Sequence, residues 1–387
     1  MSEESNPYDA SVIVVLEGLE AVRKRPGMYV GSVGERGLHH LVFEAAEPAL
    51  HEILGGTAGR VGITLTADGG VRIADDGGGY PVGDGGRGDG PTLEECLRVL
   101  LCGVPRAGRR SLSAGFAGVG LAVVNALSSR LTAETRCDGA RWAQEYERGV
   151  RVATPASTGP ADGGSGTVIT FWPDAEIFET LTFSFDTLAD HFRELAFLNR
   201  DLDITLTDER DSGAPRAVQF RFPGGARDWI DRTVGRSARP HPDVLAFECE
   251  RPGMEGTVEV ALSWSDSGDE RVSSYANSRP TLGGGTHELG FRDGLTAALT
   301  ACARERGLLA PSDPDLTPDR FGAGLTAIVS VKLDRPEFEG AVRDRLGNAP
   351  VRACVAEAVR EHVTTWLRED PARAAAVLAR IPAATRD

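Results

Sequence analysis

Two periods of apolar residues run along the chain, and the change from one to the other marks where its elements meet. In "FEAAEPALHEILGG", residues 43 to 56, Ala45, Ala46, Ala49, Leu50, Ile53 and Leu54 recur at helical spacing, and Gly55-Gly56 supplies the stop. The pattern predicts one helix from about Gly37 to Leu54, with Pro48 in its interior. A proline there has no N–H for the carbonyl of Glu44, and its ring presses on that carbonyl, at a cost of roughly 3 kcal/mol. A kink or local unwinding is expected at Pro48, with Glu44 displaced. Upstream, "SVIVVLEGLEAVRKRP" has helical spacing and is expected to end at Pro26-Gly27. Downstream, "RVGITLTADGGVRIADDGGGYP" alternates apolar and polar positions about Asp68-Gly69-Gly70, the signature of a β-hairpin.

"TLEECLRVLL" predicts a further helix, and "AGFAGVGLAVVNALS" a glycine loop entering an apolar helix. Two or three strands should follow, ending in "GSGTVITFWPD". Near residue 220 "FRFPGGARDWIDRTV" looks like a restart. Beyond it come strands "GTVEVALSW" and "LTAIVSVKL" and helices "GFRDGLTAALTACARERG" and "APVRACVAEAVREHVTTWL". Strands and helices are mixed rather than strictly alternating, which favours a layered α+β sandwich over a doubly wound sheet. No internal repeat is present.

With 387 residues and 41% hydrophobic content, the chain can fill two domains. A net charge of −15 argues against free nucleic acid or an anionic membrane as a partner of the whole surface. Cys96, Cys102, Cys137, Cys249, Cys302 and Cys354 are scattered without a C-x-x-C, so free buried thiols in a reducing cytoplasm are expected rather than structural zinc. No run of 18 apolar residues and no signal-like start are seen, which points to a soluble, cytoplasmic chain with no membrane partner.

Three separated pieces carry candidate chemistry. His40 and Glu44 lie four residues apart on one helix face, where an imidazole can steady a carboxylate that activates water. A solvated helix face is the alternative for such a pair. In "DDGGGYP", Asp75 can accept from an exocyclic amine, and Gly79 lies in a turn that lets a ligand approach the backbone; a plain hairpin loop is the alternative. In "GFAGVG", Gly115, Phe116, Ala117, Gly118, Val119 and Gly120 precede a helix, and such backbone N–H groups can cradle phosphates. The spacing is neither a P-loop nor a Rossmann fingerprint.

In this order, the pieces resemble the ATPase region of the DNA gyrase B family, part of the GHKL ATPase superfamily. The resemblance runs through "YDASVIVVLEGLEAVRKRPGMYVGS", "GLHHLVFE", "GVGLAVVNALS" and "GTVITFWP", and resumes at "SYANSRPTLGGGTHELGFRDGLTAAL" and "GLTAIVSVKL". It implies an α+β chain: a dimerisation arm over residues 1–20, a Bergerat-type ATP-binding sandwich over 21–219, and a ribosomal-protein-like transducer domain over 220–387. It implies ATP as the ligand and a homodimer in which the arm brings Tyr8 and Ile13 to the partner. Other gyrase subunits are implied as partners, and DNA is reached only indirectly. By position, Glu44 is the base and His40 its orienting partner. Asp75, Gly79 and Thr167 attend the adenine, Gly115 to Gly120 wrap the phosphates, and Tyr8 and Arg343 complete the nucleotide contacts.

The sequence also departs from that family. Where the family has Glu-x-x-Asp-Asn, with the asparagine a ligand of Mg²⁺, this chain has Glu44-Ala45-Ala46-Glu47-Pro48, and proline offers no side-chain donor. Glu47 and His51 are the nearest substitutes. In "EGAVRDRL", Ala341 and Arg343 replace the Gln and Lys that reach the γ-phosphate; in "CGVPRAGRR", Val104 replaces the lid lysine; and Ala143 replaces an arginine near the coumarin site. The chain stops before any Toprim domain, so the DNA-cleavage carboxylates are not expected. Three functions follow: a pseudo-ATPase partner or regulator of gyrase, an active ATPase and dimer gate, or a small-molecule site in the former ATP pocket.

Overall fold

The computed structural model describes residues 18–82, 91–100, 108–109, 112, 119–161, 163–211, 213–235, 241, 243–266, 268–340 and 343–380. Tyr8, Ile13, Val104, Gly115 to Gly118 and Ala341 lie outside them. Two short helices, α1 (Glu20–Lys24) and α2 (Gly27–Val30), lead into the long α3 (Glu35–Gly55). Pro26 does not simply end a helix, because its φ of −60° suits the residue that opens α2. The hairpin appears as β1 (Val61–Leu65) and β2 (Val71–Asp75), in register from Val61↔Asp75 to Leu65↔Val71.

Next come α4 (Leu93–Arg98) and α5 (Leu121–Ala126). A capping box between Thr92 and Glu95 opens α4, but the helix stops short of the end its pattern suggested, with Val99 already extended. Five strands follow instead of two or three: β3 (Ser128–Cys137), β4 (Ala140–Glu147), β5 (Val150–Arg151), β6 (Ala156–Pro160) and β7 (Gly166–Pro173). The two that the pattern missed, β5 and β6, are short and solvent-facing, so they carry no apolar alternation. Helix α6 (Phe185–Leu198), β8 (Ile204–Asp208) and β9 (Arg216–Phe220) complete this half. The strand order is β5-β4-β3-β7-β2-β1-β8-β9, with β6 against β4, and β1 runs parallel to β8.

Helix α3 lies over β1, β2 and β7. Its buried side includes Leu38, Leu41, Val42, Ala45, Ala46, Ala49 and Leu50, sharing one core with Ile63, Ile73 and Phe171. The helix runs unbroken through Pro48, so the expected unwinding does not occur. The ring instead faces a small cavity. A single missing amide leaves the surrounding ladder and the buried apolar side to hold the helix. Gly56, in the left-handed region at φ 78°, closes it with its N–H on the carbonyls of Glu52 and Ile53.

After α7 (Ala226–Thr233), a second sheet is formed by β10 (Leu245–Arg251), β11 (Gly256–Trp264), β12 (Arg271–Ala276), β13 (Arg279–Pro280) and β14 (Leu325–Leu333), in the order β10-β11-β14-β12-β13. Helices α8 (Thr286–Glu305), α9 (Pro318–Phe321), α10 (Ala349–Glu369) and α11 (Pro371–Leu378) and the small pair β15 (Phe338–Glu339) and β16 (Arg345–Leu346) complete it. Strands β11 and β14 are buried on both faces. Val258, Val260 and Leu262 join Val329 and Val331 in the core beneath α8 and α10, while Ala261 and Ile328 join Leu198 of α6 and Ile230 of α7. This explains their nearly continuous apolar sequence. Gly290 and Gly294 bring α8 close to α10, since a Cβ at either would collide with the carbonyl of Arg352 or Ala356.

The halves meet through buried polar contacts as well as that shared core. Asn199 Nδ2 donates to Ser278 Oγ at 2.9 Å, and Arg200 pairs with Glu259 at 2.6 Å. Among the described residues no helix is long and apolar enough to cross a membrane. The five described cysteines are free thiols; Cys96 and Cys302 are buried, whereas Cys137, Cys249 and Cys354 are only half-buried, against the expectation for all six.

Candidate functional site

Glu44, Pro48 and Glu52 stand at successive turns of α3, and the last two share a wall with Asp75 at the end of β2. Glu44 is 1% exposed, and its Oε2 accepts from the amides of Val119 and Gly120 at 3.0 and 3.2 Å. Gly120 caps α5 at φ 84°, so the carboxylate closes the entry to that helix. His40 is half-buried one turn earlier, edge-on to Phe43. Burial first, then Arg36, Arg279 and His39, bring its pKa down to about 4, so the imidazole is neutral at physiological pH. The neighbouring His39 serves the fold instead, because its Nε2 accepts from Ser184 N at 2.8 Å, at the start of α6.

Asp75 ends β2. Its Oδ1 accepts from Gly77 N at 3.0 Å and from Thr167 N at 3.1 Å. Burial dominates its titration and, with Glu52 and Asp76 nearby, raises the pKa to about 6 against the pull of those two amides. Glu52 Oε2 accepts from Gly78 N at 2.9 Å and so fixes the loop. Gly79 adopts φ 73°, and a Cβ there would strike the carbonyl of Arg136; only glycine fits this turn. Thr167 is 3% exposed, and its Oγ1 has no hydrogen-bond partner among the described residues.

Pro48, Glu52, Asp75, Tyr80, Leu121 and Thr167 share the wall of a cavity of about 10 Å³, room for one water. Glu44 is not on that wall. The reason is local: Glu44 turns to the α5 amides, while Pro48 faces Asp75. A roomier cavity of about 620 Å³ lies between β10 and α10, but it includes none of the candidate residues, so chemistry rather than volume identifies the site.

Among the described residues, Pro48 offers no side-chain donor for an octahedral Mg²⁺, Glu44 Oε2 and Glu52 Oε2 accept backbone amides, and His51 Nε2 accepts from Leu112 N at 3.0 Å. Among the described residues, the His/Asp grouping with metal-like spacing is His241, Asp243 and Asp370, away from this site. There Arg373 already pairs with Asp243.

Arg343 has a left-handed backbone at φ 55° beside β16. Its charge, after burial, lowers the pKa of Arg279 on β13, and Arg279 in turn lowers that of His40. The second sheet thus brings the Arg279 guanidinium toward His40, near the start of α3. Arg279 was missed from the sequence because it sits in a quoted motif without a role of its own. Glu52 was missed as well, although its i+8 spacing from Glu44 was a usable signal. Ala143 is half-buried on β4, opposite Glu134.

A family model described as DNA gyrase B matches residues 225–387. The DNA gyrase B protein of Streptomyces coelicolor is 45% identical over 393 residues, covering 97% of this chain and 57% of that protein. The novobiocin-resistant DNA gyrase B protein of Streptomyces niveus is 44% identical, covering 94% and 56%. The chain thus spans little more than half the length of these relatives. Among solved structures, the 43K ATPase domain of Thermus thermophilus gyrase B, in complex with an aminocoumarin, superposes with a TM-score of 0.77 at 31% identity and covers 94% of both chains. The gyrase B protein of Myxococcus xanthus gives 0.74 at 29%, covering 94% of this chain and 99% of that one.

Proposed function

The chain belongs to the DNA gyrase B family, and from that premise we propose that it is a nucleotide-binding module of the type II topoisomerase kind whose Mg²⁺-dependent ATP hydrolysis is degenerate. Residues 21–219 form the ATP-binding unit and 220–387 the transducer, with residues 1–20 as the arm of a homodimer. The module acts in the cytoplasm as a partner or regulator of gyrase subunits and meets DNA only through them. The observation that carries the proposal is Pro48 on the cavity wall it shares with Asp75, where it offers no side-chain donor to a metal ion.

ATP would place its adenine amine at Asp75 and its base beside Thr167, whose hydroxyl supplies a further polar contact. A cavity with room for one water must widen first, which supports weak binding. Glycine-loop amides would hold the phosphates, and Arg279 and Arg343 would balance their charge while His40 stays neutral. Glu44 is the base, and the amides of Val119 and Gly120 hold its Oε2 in place.

The retained Glu44, His40 and Asp75 favour the competing reading, an active ATPase. Steady-state assays decide between them. Phosphoryl transfer depends on positioning and charge neutralisation, and losing one such partner costs about 10²–10³ in rate. ATP turnover is expected at least about 100-fold below that of a working gyrase ATPase domain. Pro48→Asn should strengthen nucleotide binding more than turnover. Robust wild-type turnover, abolished by Glu44→Ala, would overturn the degenerate reading.

A further inference from the structure

The cavity of about 620 Å³ between β10 and α10 takes no part in the nucleotide site, and five consecutive residues, 243–247, form one side of it. Side chains of a strand alternate between the two faces of its sheet. Leu245 and Phe247 pack with the core beneath α8 and α10, while Ala246 packs with the cluster that holds Ile230 of α7. Successive residues that point to opposite faces share one cavity only along their backbone, at an open edge. β10 is such an edge, because it pairs with β11 on one side and ends the strand order on the other.

An edge strand turns N–H and C=O groups of alternate residues outward, and natural edges are commonly guarded by charged side chains. Glu248, Glu250 and Arg251 guard the second half of β10. Leu245, Ala246 and Phe247 carry no charge, and this unguarded half is the part that borders the cavity. One outward acceptor is already in use, since Arg227 of α7 donates Nη1 to the Val244 carbonyl at 3.0 Å. Across the cavity stands α10. Its His362 is stacked on Phe247 with ring centroids 4.0 Å apart, and Trp366 follows one turn later. An open strand edge facing a helix, with aromatic side chains between them, is a groove into which an extended peptide can add as a further strand.

The charges select the peptide. Glu361 and Glu369 line the cavity eight residues apart on α10, a separation of about 12 Å along the helix. On an added strand, side chains four residues apart point the same way and lie about 13 Å apart. Asp243 is matched by Arg373 at 2.6 Å and Glu361 by Arg251, whereas Glu369 has no ion-pair partner among the described residues. The net charge of −15 adds a field that draws cations toward the groove. We propose that the groove between β10 and α10 docks an extended peptide segment of another protein as an added strand. An apolar side chain of that segment meets Phe247 and Trp366, and basic side chains two places to either side meet Glu361 and Glu369.

The experiment titrates the full chain with the fluorescein-labelled peptide Lys-Val-Phe-Val-Lys, whose sequence reads alike in either strand direction, and with its acidic counterpart Glu-Val-Phe-Val-Glu. Fluorescence anisotropy gives the Kd, and amide hydrogen exchange locates the bound peptide. The basic peptide should bind saturably and protect amides within residues 244–247, and the acidic one should bind more weakly. Thr365→Arg fills the groove from an exposed position on its wall, so it should abolish binding and leave Tm unchanged. Glu369→Lys should weaken the basic peptide and strengthen the acidic one, each by about 2- to 5-fold, the range of an exposed ion pair. No saturable binding of the basic peptide would overturn the proposal. Binding that Thr365→Arg leaves unchanged would overturn it too, as adsorption to an acidic surface. Light scattering that finds the free chain paired, and the pairing lost in Thr365→Arg, would make a second copy the occupant and sink the proposal as well.

Discussion

Asp75 is buried where water would serve a carboxylate better, and two backbone amides do not fully compensate. Its pKa is about 6 in the folded chain against an ordinary 3.8. Between those values the folded state holds a proton that the unfolded state has lost, so stability falls as pH rises through this window and is level above it. Asp75→Asn keeps the acceptor for Gly77 and Thr167 without the buried charge. It should raise Tm at pH 7.5 by a few degrees, at about 2–4 °C per kcal/mol, and flatten the Tm profile between pH 4 and 6. A variant that melts lower than wild type at pH 7.5 would mean that the charge is stabilised by something other than those amides. A carboxyl kept at a cost to stability is accounted for by the ligand it would recognise. Asp75 was legible in the sequence as an acidic residue before a glycine turn. Arg279 was not, because its significance depends on Arg343 and His40, which only the tertiary fold brings near it.

At the scale of the element, α3 shows where pattern reading succeeds and where it fails. Its apolar spacing and its Gly56 terminus were readable. The effect of Pro48 was overstated because propensity is local, whereas this helix is held by a buried side packed over three strands. The missing amide still has a cost. Pro48→Ala should restore the bond to the Glu44 carbonyl and raise stability by about 1–3 kcal/mol, read as a shift in urea midpoint at constant m-value. A lower midpoint would show that packing of the ring against the cavity wall outweighs the lost bond. β5 and β6 escaped the sequence reading for the opposite reason: as exposed edge strands they take their structure from β4 rather than from their own residues.

Across the whole molecule, fold class and the paired elements of the second half followed from periodicity, and the gyrase B resemblance followed from motifs. The order of strands did not, because nothing in the local pattern of β1 says that its second neighbour is β8. That parallel pairing also sets a timetable for synthesis. β1 and β2 meet almost as soon as they leave the ribosome, but β8 emerges about 140 residues after β1. At about 5–20 residues per second, one edge of the hairpin waits roughly seven to thirty seconds for its partner. Arrested nascent chains should stay protease-sensitive until Phe220 has cleared the tunnel, then yield a resistant fragment in one step. Resistance that appears while β8 is still inside the tunnel would show that the earlier strands close on their own. In the interval, the unpaired backbone of β1 is a strand edge open to other growing chains, a period of vulnerability built into the order in which this sheet is laid down.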